Sequence, residues 1–298
     1  RPMTTIAKAI SGKIWSPVRG KQNLKRKGLS SWLVFFVVFI VALVWLFPLW
    51  MAVVNSVKAP KDFLLHGPLT VPHHLYWSNI TTFWSDVDFL QKLMNSTLIS
   101  LFVAIFGVTL SFLTAFAIGI GRVKGRFWVL GVFMVAFTVP QESLVFPLFR
   151  LSMSAHLYNS IWAIIIIFSV IYSAFGTYML SVVLSAFPPE ILEAAKVDGA
   201  SPRRILWNVV LPIVRPTMFA LGTFFFVWVW NEYLIPLILL ADNANQTVSV
   251  SLGVTSGEYT SDPTTLAAAA FLGIIPSVIF YLIFQRTLSR GVTLGAVK

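Results

Sequence analysis

The sequence predicts an all-α membrane protein with six transmembrane helices. Three observations carry that prediction. Of 298 residues, 57% are hydrophobic and only 11% are charged, with a mean hydropathy of +0.82. A water-soluble domain of this length needs far more charge to cover its surface. Six apolar runs are each long enough to cross a hydrocarbon core about 30 Å thick. Lys and Arg gather in alternate connections between those runs, the asymmetry that fixes orientation across a membrane.

The runs are 31–54, 95–118, 127–149, a stretch within 157–187, 216–241 and 263–285. Four carry no charge; the third contains Glu142 and the fifth Glu232. Backbone polar groups in lipid must be satisfied within the segment, so the runs are read as helices. Residues 1–30 hold Arg1, Lys8, Lys13, Arg19, Lys21, Lys25, Arg26 and Lys27. The connection between runs two and three holds Arg122, Lys124 and Arg126. That between runs four and five holds Lys196, Arg203, Arg204 and Arg215, and the C-terminal segment holds Arg286, Arg290 and Lys298. These are eighteen of the 22 basic residues, and the other side keeps Lys58, Lys61, Lys92 and Arg150. Both termini are therefore expected in the cytoplasm.

Residues 1–30 read as a basic cytoplasmic tail, either irregular or with an amphipathic surface helix at 6–18. The apolar run that follows is too long for the core of a cleaved signal peptide. A net charge of +11 does not indicate nucleic acid, because the basic residues flank membrane runs and form no basic folded module. The absence of cysteine excludes disulfides and thiolate metal sites. In the external connection 55–94, Trp77 and Trp84 are expected as interface anchors. His73 and His74 there show no metal-ligand spacing and read as solvated, so no metal site is expected.

The most informative stretch is 187–212. Pro188 and Pro189 end the fourth run, since neither can donate to a continuing helix. A short helix is expected over 190–197. Asp198-Gly199 then makes a turn in which Gly199 is free to take positive φ. Ser201 and Pro202 suit the N-cap and first position of a second short helix, ending near Val210. Leu211-Pro212 leads toward run five. Small residues at Ala194, Ala195, Gly199 and Ala200 permit close backbone approach by a partner.

This loop resembles the EAA signature of the permease subunits of ATP-binding cassette (ABC) importers. The match runs Glu193-Ala194-Ala195, Asp198-Gly199-Ala200, and then Val209, Leu211 and Pro212, where the family ends in isoleucine-x-leucine-proline. Asn95-Ser96-Thr97, Val139-Pro140, Phe146-Pro147-Leu148-Phe149 and Trp230-Asn231-Glu232-Tyr233 are similar to elements of the carbohydrate branch. Residues 284–286 and 291–298 are similar to the ending of MalG-type maltose permease subunits. The resemblance covers 32–298.

It implies a type I ABC importer permease fold with a six-helix domain at 31–290, a coupling loop at 188–212 and a cytoplasmic tail at 291–298 that either reaches into the ATPase dimer, as in MalG-type subunits, or is a frayed end. It implies a sugar importer of the bacterial cytoplasmic membrane, not an enzyme, with no cofactor of its own. The implied partners are a homologous second permease subunit, two ATPase subunits that bind ATP, and an extracytoplasmic solute-binding protein, besides the sugar and membrane lipid. No Gly-x-x-x-x-Gly-Lys-Ser/Thr loop is present to cradle phosphates, in keeping with ATP binding elsewhere.

By the resemblance, Glu193, Ala194, Ala195, Asp198, Gly199, Ala200, Leu211 and Pro212 form the ATPase-coupling site. Arg203, Arg204 and Arg215 either contact the ATPase or serve only as positive-inside charge. Glu142 and Glu232 are candidates for the substrate pathway because an ionisable group is costly in lipid. Trp228, Trp230, Asn231 and Tyr233 join them, combining aromatic faces for sugar C–H surfaces with hydrogen-bonding groups. The alternative is that both tryptophans pack or anchor and that Asn231 caps a helix break before Pro236. Pro140, Pro147, Pro236 and Pro276 are expected to kink their spans. The competing functions are an ABC importer for another polar solute and a stand-alone secondary transporter; the latter leaves the coupling loop without a purpose.

Overall fold

The computed structural model describes residues 29–121, 123–258 and 262–294. The surface helix expected at 6–18 and residues 295–298 of the C-terminal tail lie outside the described residues. The chain divides into a unit ending at Pro48 and a unit from Leu49 to Lys298. The first contributes the opening turns of α1 (Leu29–Ser56). The second carries everything else.

Among the described residues there are helices and no strands. After α1 come two short helices, α2 (Pro60–His66) and α3 (Ser78–Asp86), then α4 (Phe89–Gly119). Helices α5 (Arg126–Thr138) and α6 (Val145–Ser154) flank a 3₁₀ turn at Gln141–Leu144. They are followed by α7 (Ile161–Ser185), α8 (Pro189–Val197) and the three-residue α9 (Pro202–Arg204). A π turn at Ile205–Val210 leads into α10 (Leu211–Asn231). The short α11 (Leu234–Leu239), α12 (Val248–Glu258) and the long α13 (Pro263–Leu294) complete the chain.

The core of the second unit is the crossing of α4 and α7, covered by α10. A Cβ on Gly176 would lie 2.2 Å from Ser111 Oγ and 2.8 Å from Ser111 Cβ, so only glycine permits this approach. Ser111 Oγ sits 2.6 Å from Gly107 O and 3.3 Å from Ser173 O, bridging the two helices. Phe112, Ile164, Phe168 and Phe225 fill the space around the crossing and are fully buried. Phe225 also lies against Gly107, where a Cβ would meet its ring at 3.1 Å.

Two sets of contacts fix the polarity of these helices. At one end Gly119 of α4 lies against Leu184 of α7. At the other, residues at the starts of α4 and α7 grip the same loop. Asn95 Nδ2 donates to Ala244 O (2.8 Å) and Gln246 O (3.0 Å), Lys92 Nζ donates to Asn243 O, and Val248 N–H donates to Ser96 Oγ (2.9 Å). Asn159 accepts from Asp242 N–H (3.0 Å), and Asn245 donates to its carbonyl (2.8 Å). Helices α4 and α7 are therefore parallel, and the chain between them must cross the bundle once. That crossing is made by α5 and α6.

The third apolar run is thus one span broken into two helices, bent by 88°, rather than the continuous helix expected over 127–149. The break falls at Val139-Pro140: Val139 is extended (φ −64°, ψ 124°), as the residue before a proline prefers, and the Pro140 ring obstructs the preceding turn. Together with α1, α4, α7, α10 and α13 this gives six apolar spans.

Two further expectations are corrected. The second helix of the cytoplasmic loop is not a separate piece before run five. From Pro202 to Asn231 the chain forms one apolar helix of 30 residues. The π turn at Ile205–Val210 widens the helix just ahead of Pro212, where a standard turn would set the ring against the carbonyl four residues back. Run five, in turn, does not continue to 241. It stops at Glu232, which is extended (φ −66°, ψ 133°), four residues before Pro236. The helix resumes only as α11.

Gly176→Ala is expected to destabilise the protein by about 1–3 kcal/mol through overpacking at the crossing. Gly131→Ala, where a Cβ meets nothing within 4 Å, is expected to be neutral or slightly stabilising. Thermal unfolding of the detergent-solubilised protein checks both.

Candidate coupling hairpin and translocation cavity

The hairpin between spans four and five follows local chemistry closely. Pro189 opens α8 at a position where no N–H is required, and Glu190 places a negative charge in the first turn. The helix closes in a Schellman motif: Ala200 N–H donates to Ala195 O (2.9 Å) and Gly199 N–H to Lys196 O (3.0 Å). Gly199 holds the required φ of +71°. Ser201 Oγ then accepts from Arg204 N–H (3.4 Å), capping the next helix.

All eight residues expected in the coupling site belong to this hairpin and its continuation. Glu193, Ala194, Asp198, Gly199 and Pro212 are exposed; Ala195, Ala200 and Leu211 are half-buried. Space is open around Gly199, with no atom within 4 Å of a hypothetical Cβ. Behind the hairpin a cavity of about 380 Å³ separates it from the end of α4, lined by Phe116, Ile120 and Gly121 on one side and Leu192, Glu193, Lys196 and Ile205 on the other. Arg203, Arg204 and Arg215 are exposed, and the Arg215 guanidinium lies over the Phe219 ring, 5.3 Å from its centroid.

The second feature is a cavity of about 400 Å³ where α10 breaks, toward the end away from the hairpin. It is lined by Phe137, Gln141, Tyr172, Val227, Trp228, Asn231 and Glu232. Trp228 sits among aromatic rings, with Phe175 at 5.2 Å, Tyr172 at 5.4 Å and Phe137 at 6.2 Å between centroids. The Tyr172 ring is stacked between Phe168 and Phe225, and its hydroxyl donates to Glu232 Oε1 at 3.0 Å. Asn231 Nδ2 donates to Val227 O (2.7 Å), leaving its carbonyl oxygen for the cavity.

Of the six residues expected in the pathway, Trp228, Asn231 and Glu232 line this cavity. Trp230 does not: it is buried on the opposite side of α10, stacked on Phe226 at 5.8 Å within a second core. Tyr233 packs against Gly253, and Glu142 is exposed on the 3₁₀ turn beside the lining residue Gln141. Sequence reasoning missed Gln141 and Tyr172. The available signals were the position of Gln141 just after Pro140 and that of Tyr172 as a phenol inside an uncharged span.

The helical bundle carries an exposed hairpin at one end and a cavity with polar lining residues toward the other, an arrangement compatible with a transport permease. The sequence model described as "Binding-protein-dependent transport system inner membrane component" matches residues 107–294, and the chain belongs to that family. It is 29% identical to the sulfoquinovosyl glycerol transport system permease protein SmoH of Agrobacterium fabrum, over 85% of this chain and 89% of that one. It is 30% identical to the sn-glycerol-3-phosphate transport system permease protein UgpE of Shigella flexneri, over 83% of this chain and 90% of the relative. A chain from the crystal structure of a bacterial ABC transporter involved in alginate import shares the fold, with a TM-score of 0.76 and 19% identity over 88% of this chain and 97% of the other. The protein is a multi-pass inner-membrane transport component rather than an enzyme.

Gly199→Ala is expected to cost the hairpin about 1–2 kcal/mol, because alanine is strained at positive φ, with no steric clash. Hydrogen exchange should show faster exchange at the Ala200 amide, while the global unfolding temperature stays unchanged.

Proposed function

We propose that this chain is the permease subunit of an ATP-driven, binding-protein-dependent sugar importer. The observation that carries the reading is the unbroken helix from Pro202 to Asn231. One end forms half of the exposed hairpin, and the other ends at the cavity beside Trp228 and Glu232. A push on the hairpin by an ATPase therefore reaches the cavity along one continuous helix. Alternating access follows as the two ends move together.

In this reading Ala194, Gly199 and Ala200 allow the ATPase to approach the hairpin closely. Glu193 and Asp198 supply exposed carboxylates for basic groups on it, and Leu211 and Pro212 carry the motion into α10. The exposed Arg203, Arg204 and Arg215 add cationic contacts. Helix α13 runs to Leu294, and Phe284 on it lies near Leu211 and Pro212 at the hairpin end, which supports a role at the ATPase for the tail that begins at residue 291. ATP is held by two such ATPase subunits, solute is delivered by an extracytoplasmic binding protein, and a second, homologous permease completes the pathway.

The cavity chemistry supports a sugar. The Trp228 face suits the C–H surface of a pyranose, while Gln141, Tyr172, Asn231 and Glu232 offer partners for hydroxyls.

Purification from native membranes should bring down an ATPase whose turnover rises with sugar-loaded binding protein. Gly199→Asp is expected to abolish that stimulation. Glu232→Gln should keep the ATPase bound but lower sugar transport by about 10-fold, the loss of one hydrogen bond to the solute. A preparation that lacks an ATPase and transports solute alone contradicts the proposal.

A further inference from the structure

The connection between α1 and α4 folds into a small ordered unit that the transport reading does not use. Asp62 lies in the first turn of α2 and His66 in the last, four residues apart and so on one face. His66 Nδ1 is 2.7 Å from Asp62 Oδ1. Gly67 takes φ +75° and turns the chain back. The returning segment is pinned from beneath. Buried Lys58 donates through Nζ to Gly67 O (2.9 Å), to Thr70 Oγ1 (3.0 Å) and to Thr70 O. Pro68 and Pro72 stiffen the same stretch. This path delivers His73 to the free side of the pair, with its ring centroid 5.2 Å from that of His66. One donor atom from each of Asp62, His66 and His73 lies within 4.8 Å of the other two.

We infer that Asp62, His66 and His73 form a binding site for a divalent cation of the zinc class. Two imidazoles and one carboxylate make a borderline donor set. Magnesium and calcium favour oxygen ligands alone, so this set selects zinc and its late first-row neighbours. Around tetrahedral zinc with bonds of about 2.1 Å, ligand atoms stand about 3.4 Å apart. The triad reaches that spacing by side-chain rotation, because both histidines are exposed and Asp62 is half-buried. Three protein ligands leave the fourth position to water. The bound ion ties the returning segment to α2. Asp62 and His66 lie eleven and seven residues upstream of His73, and only the turn at Gly67 brings them beside it.

The test uses the full chain without a polyhistidine tag, in detergent, treated with a chelator and titrated with Zn²⁺ alone by calorimetry. One equivalent is expected to bind. Asp62→Asn, His66→Gln and His73→Gln should each weaken binding by at least about 10-fold, and His156→Gln, in a different connection, should not. X-ray absorption at the zinc edge should report two imidazole ligands. The three variants should unfold at the wild-type temperature without zinc, showing that the loss is not misfolding. Absence of stoichiometric binding to the wild type overturns the inference. So does binding retained within about threefold in any one of the three variants.

Discussion

At Gly176 two long helices approach so closely that a single added carbon would strike the Ser111 side chain. Most of the architecture depends on that crossing. It holds α4 and α7 parallel along their length, with Gly119 beside Leu184 at one end and the loop held by Lys92, Asn95 and Asn159 at the other. Two parallel neighbours in a membrane require the intervening chain to cross back. The bent pair α5–α6 is therefore a span, despite its 88° angle. The same polarity puts the hairpin and the gripped loop at opposite ends of the bundle.

Against this frame lies the helix from Pro202 to Asn231. It is antiparallel to α4, with Trp207 near Phe112 and Phe225 beside Gly107. Helices transmit displacement well because each turn is bonded to the next. The π turn preserves that continuity where Pro212 would otherwise interrupt it. The helix stops where Pro236 makes further extension costly, and the cavity opens at that stop. Proline placement thus sets where the helix stops and where the cavity opens.

Local features were legible in the sequence. Charge-free runs marked the spans, and Pro188-Pro189, Gly199 and Ser201-Pro202 drew the hairpin almost residue by residue, since each acts within one turn of its own position. Features built across long separations were not. Nothing near Tyr172 announces that its hydroxyl meets Glu232, 60 positions later. Nothing near Asn95 announces carbonyl partners about 150 residues away. Trp228 and Trp230 look equivalent in sequence, yet a two-residue step turns one side chain about 200° around the helix, placing it in the cavity and the other in a core. Pro140 signalled a kink, but its size is set by packing against α7.

In the proposed orientation the hairpin lies in the cytoplasm and the α1–α4 connection on the opposite side of the membrane. The chain has no cysteine, so single cysteines report without background. Val197 on the hairpin is 87% exposed and Leu64 on α2 is 80% exposed, so both positions are open to reagent. A membrane-impermeant maleimide applied to spheroplasts should label Leu64→Cys and not Val197→Cys, and inside-out vesicles should give the reverse. Labelling of both positions from the same side would contradict the account.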